Sequence, residues 1–91
     1  MKIELAKEIV LSAIRDVLKS EIELTENTQL IGGESVLDSM KLVEVCLLLE
    51  DLAEEQGFDF DWTSETAMSK SRSIFRSVGA LAAEFASQSG A

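Results

Sequence analysis

Apolar residues recur at three- and four-residue steps in three separate stretches, the spacing that puts one buried face on each of three helices. In the first stretch, residues 3 to about 19, Ala6, Ile9, Val10, Ala13, Ile14, Val17 and Leu18 form that face, and Glu4, Lys7, Glu8, Arg15, Asp16 and Lys19 lie opposite. The second runs from Ser39 to about Glu55, with Leu42, Val45, Cys46, Leu49, Leu52 and Ala53 toward the core. The third runs from Val78 to about Ser87 and buries Val78, Leu81, Ala82 and Phe85. Asp38 and Ser77 stand at N-cap positions, where a side-chain oxygen can accept from free backbone N–H groups. Gly57 follows the second helix as a C-terminal glycine commonly does. The chain contains no proline, which suits a helical bundle.

The segments between these helices carry weaker signals. Residues 20–37 have no sustained period and collect Thr25, Asn27, Thr28, Gly32, Gly33 and Ser35. A connection of that length should pack itself onto the helices, with Leu24, Leu30, Ile31, Val36 and Leu37 as apolar anchors. Phe58, Phe60 and Trp62 alternate with Asp59 and Asp61. A lone strand would leave backbone groups unsatisfied, so the alternation reads as a packed loop whose aromatics cap the core. A short helix is expected from Ser64 to about Ser69 around Ala67 and Met68, then a polar linker over residues 70–73. Gly79 weakens the last helix and so marks a candidate close backbone approach, and residues 88–91 should fray. Together these features predict an all-α fold, a four-helix bundle of three major helices with a short third helix and a long first loop. The 91 residues form one domain with its ordered core over about 3–87.

Charge and composition remove several function classes. Eight basic against seventeen acidic residues give a net charge of −9, which argues against a nucleic-acid binder that must neutralise phosphates. Residues 21–65 hold thirteen acids and one base, Lys41, for a local net of −12, while the rest of the chain is at +3. Basic partners are therefore expected, and the bland alternative is a solvated acidic surface. With no histidine and one cysteine, Cys46, the chain offers no convincing zinc site, internal disulfide or self-activated nucleophile. An enzyme is not expected. The N-terminus interleaves acids with apolar residues, unlike a signal peptide, and no stretch approaches a membrane span, so the expectation is a cytoplasmic protein without membrane insertion.

Asp38-Ser39-Met40 then stands out, because a serine without a catalytic partner at a helix start can still be modified from outside. Ser39 has two readings at this level, an ordinary helix-start serine or an attachment point. The residues Leu37-Asp38-Ser39-Met40, Leu42-Val43-Glu44, Leu49-Glu50-Asp51 and the closing stretch from Phe75 to Ala82 together resemble the acyl carrier protein family over most of the chain. The resemblance implies that Ser39 is esterified by 4′-phosphopantetheine from coenzyme A, and that Asp38 is both cap and recognition element. Acyl intermediates would ride as thioesters on the thiol of that arm rather than on Cys46. It implies a phosphopantetheinyl transferase and acyl-loading and acyl-transferring enzymes with basic docking patches as partners, with the chain acting as a monomer.

The outer side of the second helix, Met40, Val43, Glu44, Leu47, Glu50 and Asp51, mixes three apolar residues with three acids. In such a carrier it reads as the docking surface; otherwise Met40, Val43 and Leu47 pack beneath the long loop. Lys41 stands where common fatty-acid-synthesis carriers have an acid, and Lys70, Arg72 and Arg76 add positive charge before the last helix. Both departures point to a specialised carrier in a lipid or secondary-metabolite pathway, with fatty acyl, amino acyl or another carboxylic acid as cargo. A small acidic helical interaction module without cofactor is the reading from another class.

Overall fold

The computed structural model describes residues 1–19, 24–25, 27–30 and 38–90, with Ser39 and Ser71 through their backbone alone. Five helices follow in order: α1 (Ile3–Leu18), α2 (Ser39–Glu55), α3 (Glu65–Ser69), α4 (Ser71–Ile74) and α5 (Val78–Gln88). No strand occurs among the described residues. The three long helices match the three periodic stretches, and the aromatic alternation after α2 is irregular backbone, as expected from the lack of a pairing partner. No helix among the described residues is long and apolar enough to cross a membrane.

α1 packs against both α5 and α2. Its four fully buried residues, Ala6, Val10, Ala13 and Ile14, follow the three- and four-residue steps of one face. Small Ala6 and Ala13 on that stripe allow close approach of neighbouring helices, while Val10 and Ile14 fill the space between them. Ile9, Val17 and Leu18, expected inside, are half-buried at the edge of the stripe. The helix ends at Leu18, one residue before the expected limit, because Lys19 turns left-handed (φ 52°) while its N–H still reaches the Arg15 carbonyl at 2.8 Å. A non-glycine residue bears a steric cost in that conformation.

α5 contributes Val78, Leu81, Ala82 and Phe85, all fully buried. Its start is fixed by the Ser77 hydroxyl, which accepts from the Ala80 N–H at 3.1 Å. Beside this cap the first loop is tied down: the Val78 N–H donates to the Thr28 carbonyl at 3.0 Å, and Leu24 and Leu30 are buried. The Thr28 hydroxyl accepts from the Thr25 N–H at 2.9 Å and closes a small turn between those two anchors. The other anchors expected for this loop, Ile31, Val36 and Leu37, lie outside the described residues.

The segment joining α2 to α3 is fastened to α5. Phe60 is buried and Phe58 half-buried, and their ring centroids lie 5.3 Å and 5.1 Å from that of Phe85. These separations and tilted geometries suit aromatic pairs, which add about 0.5–1.5 kcal/mol each beyond burial. The Gln88 side-chain amide then clasps the loop, accepting from the Asp61 N–H and donating to the Asp61 carbonyl at 2.8 Å. Gln88 is therefore an anchored residue at the end of α5 rather than the start of a frayed tail. The Asp61 carboxylate accepts from the Ser64 hydroxyl at 2.6 Å and from the Ser64 and Thr63 N–H groups. These hydrogen bonds, those of Ser64 foremost, hold its carboxyl below the ordinary value near 3.8. Ser64 in turn caps α3 by accepting from the Ala67 N–H at 3.1 Å.

One expectation is corrected here. Residues 70–73 are not a plain linker: Ser71–Ile74 form α4, with the Lys70 carbonyl accepting from the Ser73 and Ile74 N–H groups at 2.9 Å. Burial of Ile74 and Phe75 accounts for the turn, since a helical turn brings both toward the core without exposing unpaired backbone. Among the described residues the four-helix expectation becomes five helices, with the short third region split in two.

Phe85 joins the α5 face to the aromatic loop, so its loss should be felt widely. For a 91-residue domain the total stability is on the order of 5–14 kcal/mol. Phe85→Ala should cost about 3–5 kcal/mol in urea unfolding, while Phe85→Leu keeps most of the volume and loses about half as much or less. A Phe85→Ala cost below about 1 kcal/mol would contradict this packing.

Candidate functional site

The start of α2 is set by Asp38. Its backbone is extended (φ −83°, ψ 176°), its Oδ1 accepts from the Lys41 N–H at 2.8 Å, and its carbonyl accepts from the Leu42 N–H at 2.9 Å. Ser39 is consequently the first residue of the helix, as the sequence predicted. First-turn N–H groups have no helix carbonyl to bond, so Ser39 and Met40 contribute donors, and the helix dipole its positive end, to this point. Asp38 and Met40, on either side of Ser39, are both exposed.

From there α2 shows two faces. Val45, Cys46, Leu49 and Ala53 are fully buried, and Leu42 and Leu52, expected with them, are half-buried. Those two pack against the buried cluster from the margins of the inner stripe. On the outer side Met40 is 77% exposed, Val43 44% and Leu47 50%. These three apolar residues, spaced by three and four, form a continuous stripe along about two turns of helix. Glu44 and Asp51 are exposed beside it and Glu50 is half-buried. Met40, Val43 and Leu47 are thus not packed beneath the described part of the first loop.

The acids along α2 are not equivalent. Lys41 reaches Glu44 at 3.7 Å, with side chains 45% and 55% exposed. Such an exposed pair stabilises the helix by no more than a few tenths of a kcal/mol, and it places a cation beside Glu44. Further along, Glu50, Asp51 and Glu54 line an open groove of about 250 Å³ together with Asp59 and Phe60. Glu54 and Asp59 were not picked out from the sequence as part of this face. Gly57 brings them together: at φ 88° it reverses the chain, and the Gly57 and Phe58 N–H groups bond the Glu54 and Ala53 carbonyls at 3.1 and 3.0 Å. This is the paired hydrogen-bond pattern of a Schellman stop, and a glycine signal after an acidic helix end could have revealed it.

Cys46 faces the core. Burial, with a smaller contribution from Glu50, pushes its thiol up to about 12, so it stays protonated and is neither nucleophile nor metal ligand near neutrality. Among the described residues no group of three or more histidine, cysteine or carboxylate side chains could hold a metal ion. The start of α2 therefore sets the backbone of Ser39 in the first turn of a helix, beside an apolar and acidic surface. No family model, curated protein or solved structure matches the chain.

The inertness of Cys46 can be measured directly. A thiol pushed up to about 12 should react with iodoacetamide at pH 8 on the order of a thousandfold more slowly than the same thiol in urea-unfolded chain, with the rate rising as pH rises. Comparable folded and unfolded rates would show that the thiol is reachable and ionised.

Proposed function

We propose that the chain is a carrier protein of acyl-carrier type, modified on Ser39 by 4′-phosphopantetheine and serving several partner enzymes in turn. The single observation that carries this reading is the conjunction at the start of α2. Asp38 caps the helix, Ser39 opens it, and an exposed stripe of Met40, Val43 and Leu47 follows directly, flanked by acids.

The residues present suit the group. An anionic phosphodiester on Ser39 would meet the N–H groups of the first turn and the positive end of the helix dipole, which favours it by about 0.3–1 kcal/mol at an exposed site. Asp38 offsets part of that gain, but its carboxylate is already engaged with the Lys41 N–H. When bound, the group supplies a terminal thiol that holds acyl cargo as a thioester. The chain's own residues position the attachment point, present the apolar stripe and select partners by charge. Such a protein needs no catalytic group of its own, and Cys46 is shielded from competing for the cargo.

Partner enzymes would bring Lys or Arg to Glu50, Asp51 and Glu54, and an apolar patch to the stripe. Charges at the rim of such a contact speed encounter and choose partners more than they add affinity, which suits a shuttle that must leave again. Lys41, already paired with Glu44, favours a dedicated partner set over the general enzymes of fatty-acid synthesis. On this reading the protein works in the cytoplasm as a monomer, with fatty acyl, amino acyl or another carboxylic acid as cargo. An acidic interaction module without cofactor would use the same face and leave Ser39 unmodified.

Intact mass separates the two. Purified protein incubated with coenzyme A, magnesium and a permissive phosphopantetheinyl transferase should gain the mass of one phosphopantetheine, and Ser39→Ala should gain none. A folded wild type that stays unmodified with several transferases, or an equal gain in Ser39→Ala, would overturn the carrier reading.

A further inference from the structure

The α3 to α5 side of the molecule reverses the chemistry of α2. Residues 66–83 contain three cations, Lys70, Arg72 and Arg76, and no acid. All three are exposed, and Arg72 and Arg76 have no carboxylate partner among the described residues. Between α4 and α5 lies a groove of about 280 Å³ whose lining includes Lys70 and Arg76, the apolar side chains of Ile74, Ala80 and Ala83, and Glu84. Met68, just before it on α3, is 60% exposed. The periodic helices account for none of this arrangement; it exists because α4 turns Ile74 and Phe75 into the core and leaves the cations outside.

Several occupants fit poorly. Sites for small ligands enclose most of the ligand surface and converge buried polar groups on it, whereas this groove is shallow, open and has no buried polar side chain among the described residues. Glu84 in the same lining has its carboxylate engaged by the Gln88 side-chain amide at 2.8 Å. Nucleic acid and anionic membranes call for denser positive charge than these three cations supply. What matches exposed cations around an apolar trough is a peptide surface that alternates carboxylates with apolar side chains.

We infer that the α4–α5 groove docks an acidic, partly apolar segment of a partner protein. Lys70 and Arg76 in its lining meet the carboxylates of that segment, with Arg72 exposed nearby on α4, and Ala80 and Ala83 receive its apolar side chains. The net negative charge of the chain does not forbid this, because screening over about 8 Å at physiological salt leaves the local cations dominant at contact. A partner that covers both this groove and α2 must then itself be bipolar, basic opposite α2 and acidic opposite α4. A uniformly basic surface would be repelled at Lys70 and Arg76, so the groove works as a filter on partners as well as a contact. The inference stands whether or not Ser39 is modified.

The test uses ¹⁵N-labelled full-length Ser39→Ala protein at about 0.15 M salt, titrated with a short synthetic peptide of leucines and glutamates. Saturable amide shifts concentrated in residues 70–84 are expected, with none there from the same peptide carrying lysine for glutamate. Lys70→Gln with Arg76→Gln should weaken binding by roughly tenfold; if that pair disturbs the fold, Arg76→Gln alone replaces it, with a loss of about threefold expected. Absence of shifts in this region, or equal shifts from the lysine peptide, would overturn the inference. So would displacement of the peptide by inorganic phosphate, or Arg-dependent binding to phosphatidylglycerol vesicles, each of which would assign the groove to a different anion.

Discussion

The burial of α1 between α2 and α5 is the interaction on which the rest depends. A single helix that packs two neighbours must be apolar over a wide arc, and Ala6, Val10, Ala13 and Ile14 supply it with two small and two branched residues. Because α2 meets the core through one stripe, with Val45, Cys46, Leu49 and Ala53 fully buried, its opposite side stays outside the core formed by the described residues. That placement is what leaves Met40, Val43 and Leu47 in solvent. Those three exposed apolar residues in register on one helix are the patch on which the proposed docking rests.

The second constraint is the way the irregular segments are tied to α5. Thr28 holds the first loop at the N-terminus of α5, and Gln88 holds the aromatic loop at its C-terminus. Phe85, between them, is the residue against which Phe58 and Phe60 settle. The helix therefore acts as a spine for both loops, and each end is fixed by backbone groups that a frayed terminus would leave to water. The caps follow a common pattern: Asp38, Ser64 and Ser77 each accept from the N–H three residues ahead. Three short side chains thus set the starting points of three helices.

Much of this was legible in the sequence, for identifiable reasons. The long helices declare themselves by period, and Asp38 and Ser77 by being short oxygen-bearing residues just before apolar runs, whereas Ser64, expected as the first residue of the short helix, is its cap. α4 was not legible, because four residues are too few to show a period and Ser71, Arg72 and Ser73 look like linker. The Gln88 clasp was hidden as well, since a glutamine near a terminus carries no local signal of a partner 27 residues away. Glu54 and Asp59 belong to one groove only after Gly57 reverses the chain. At the start of α2, position and cap were readable, but the inequality of the acids was not, because the Lys41–Glu44 pair depends on side-chain reach.

The central claim is that the apolar stripe of α2 serves a partner and not the fold. It is tested most directly by replacing Met40, Val43 and Leu47 together with serine and measuring both thermal stability and the rate at which a phosphopantetheinyl transferase modifies Ser39. The account predicts a melting temperature close to wild type, as surface changes usually cost within about 0.5 kcal/mol each, and a modification rate lower by roughly tenfold or more, since central apolar contacts of an interface often carry over 1 kcal/mol. A large loss of stability would show that the stripe belongs to the core, and an unchanged rate on an intact fold would show that no partner uses it.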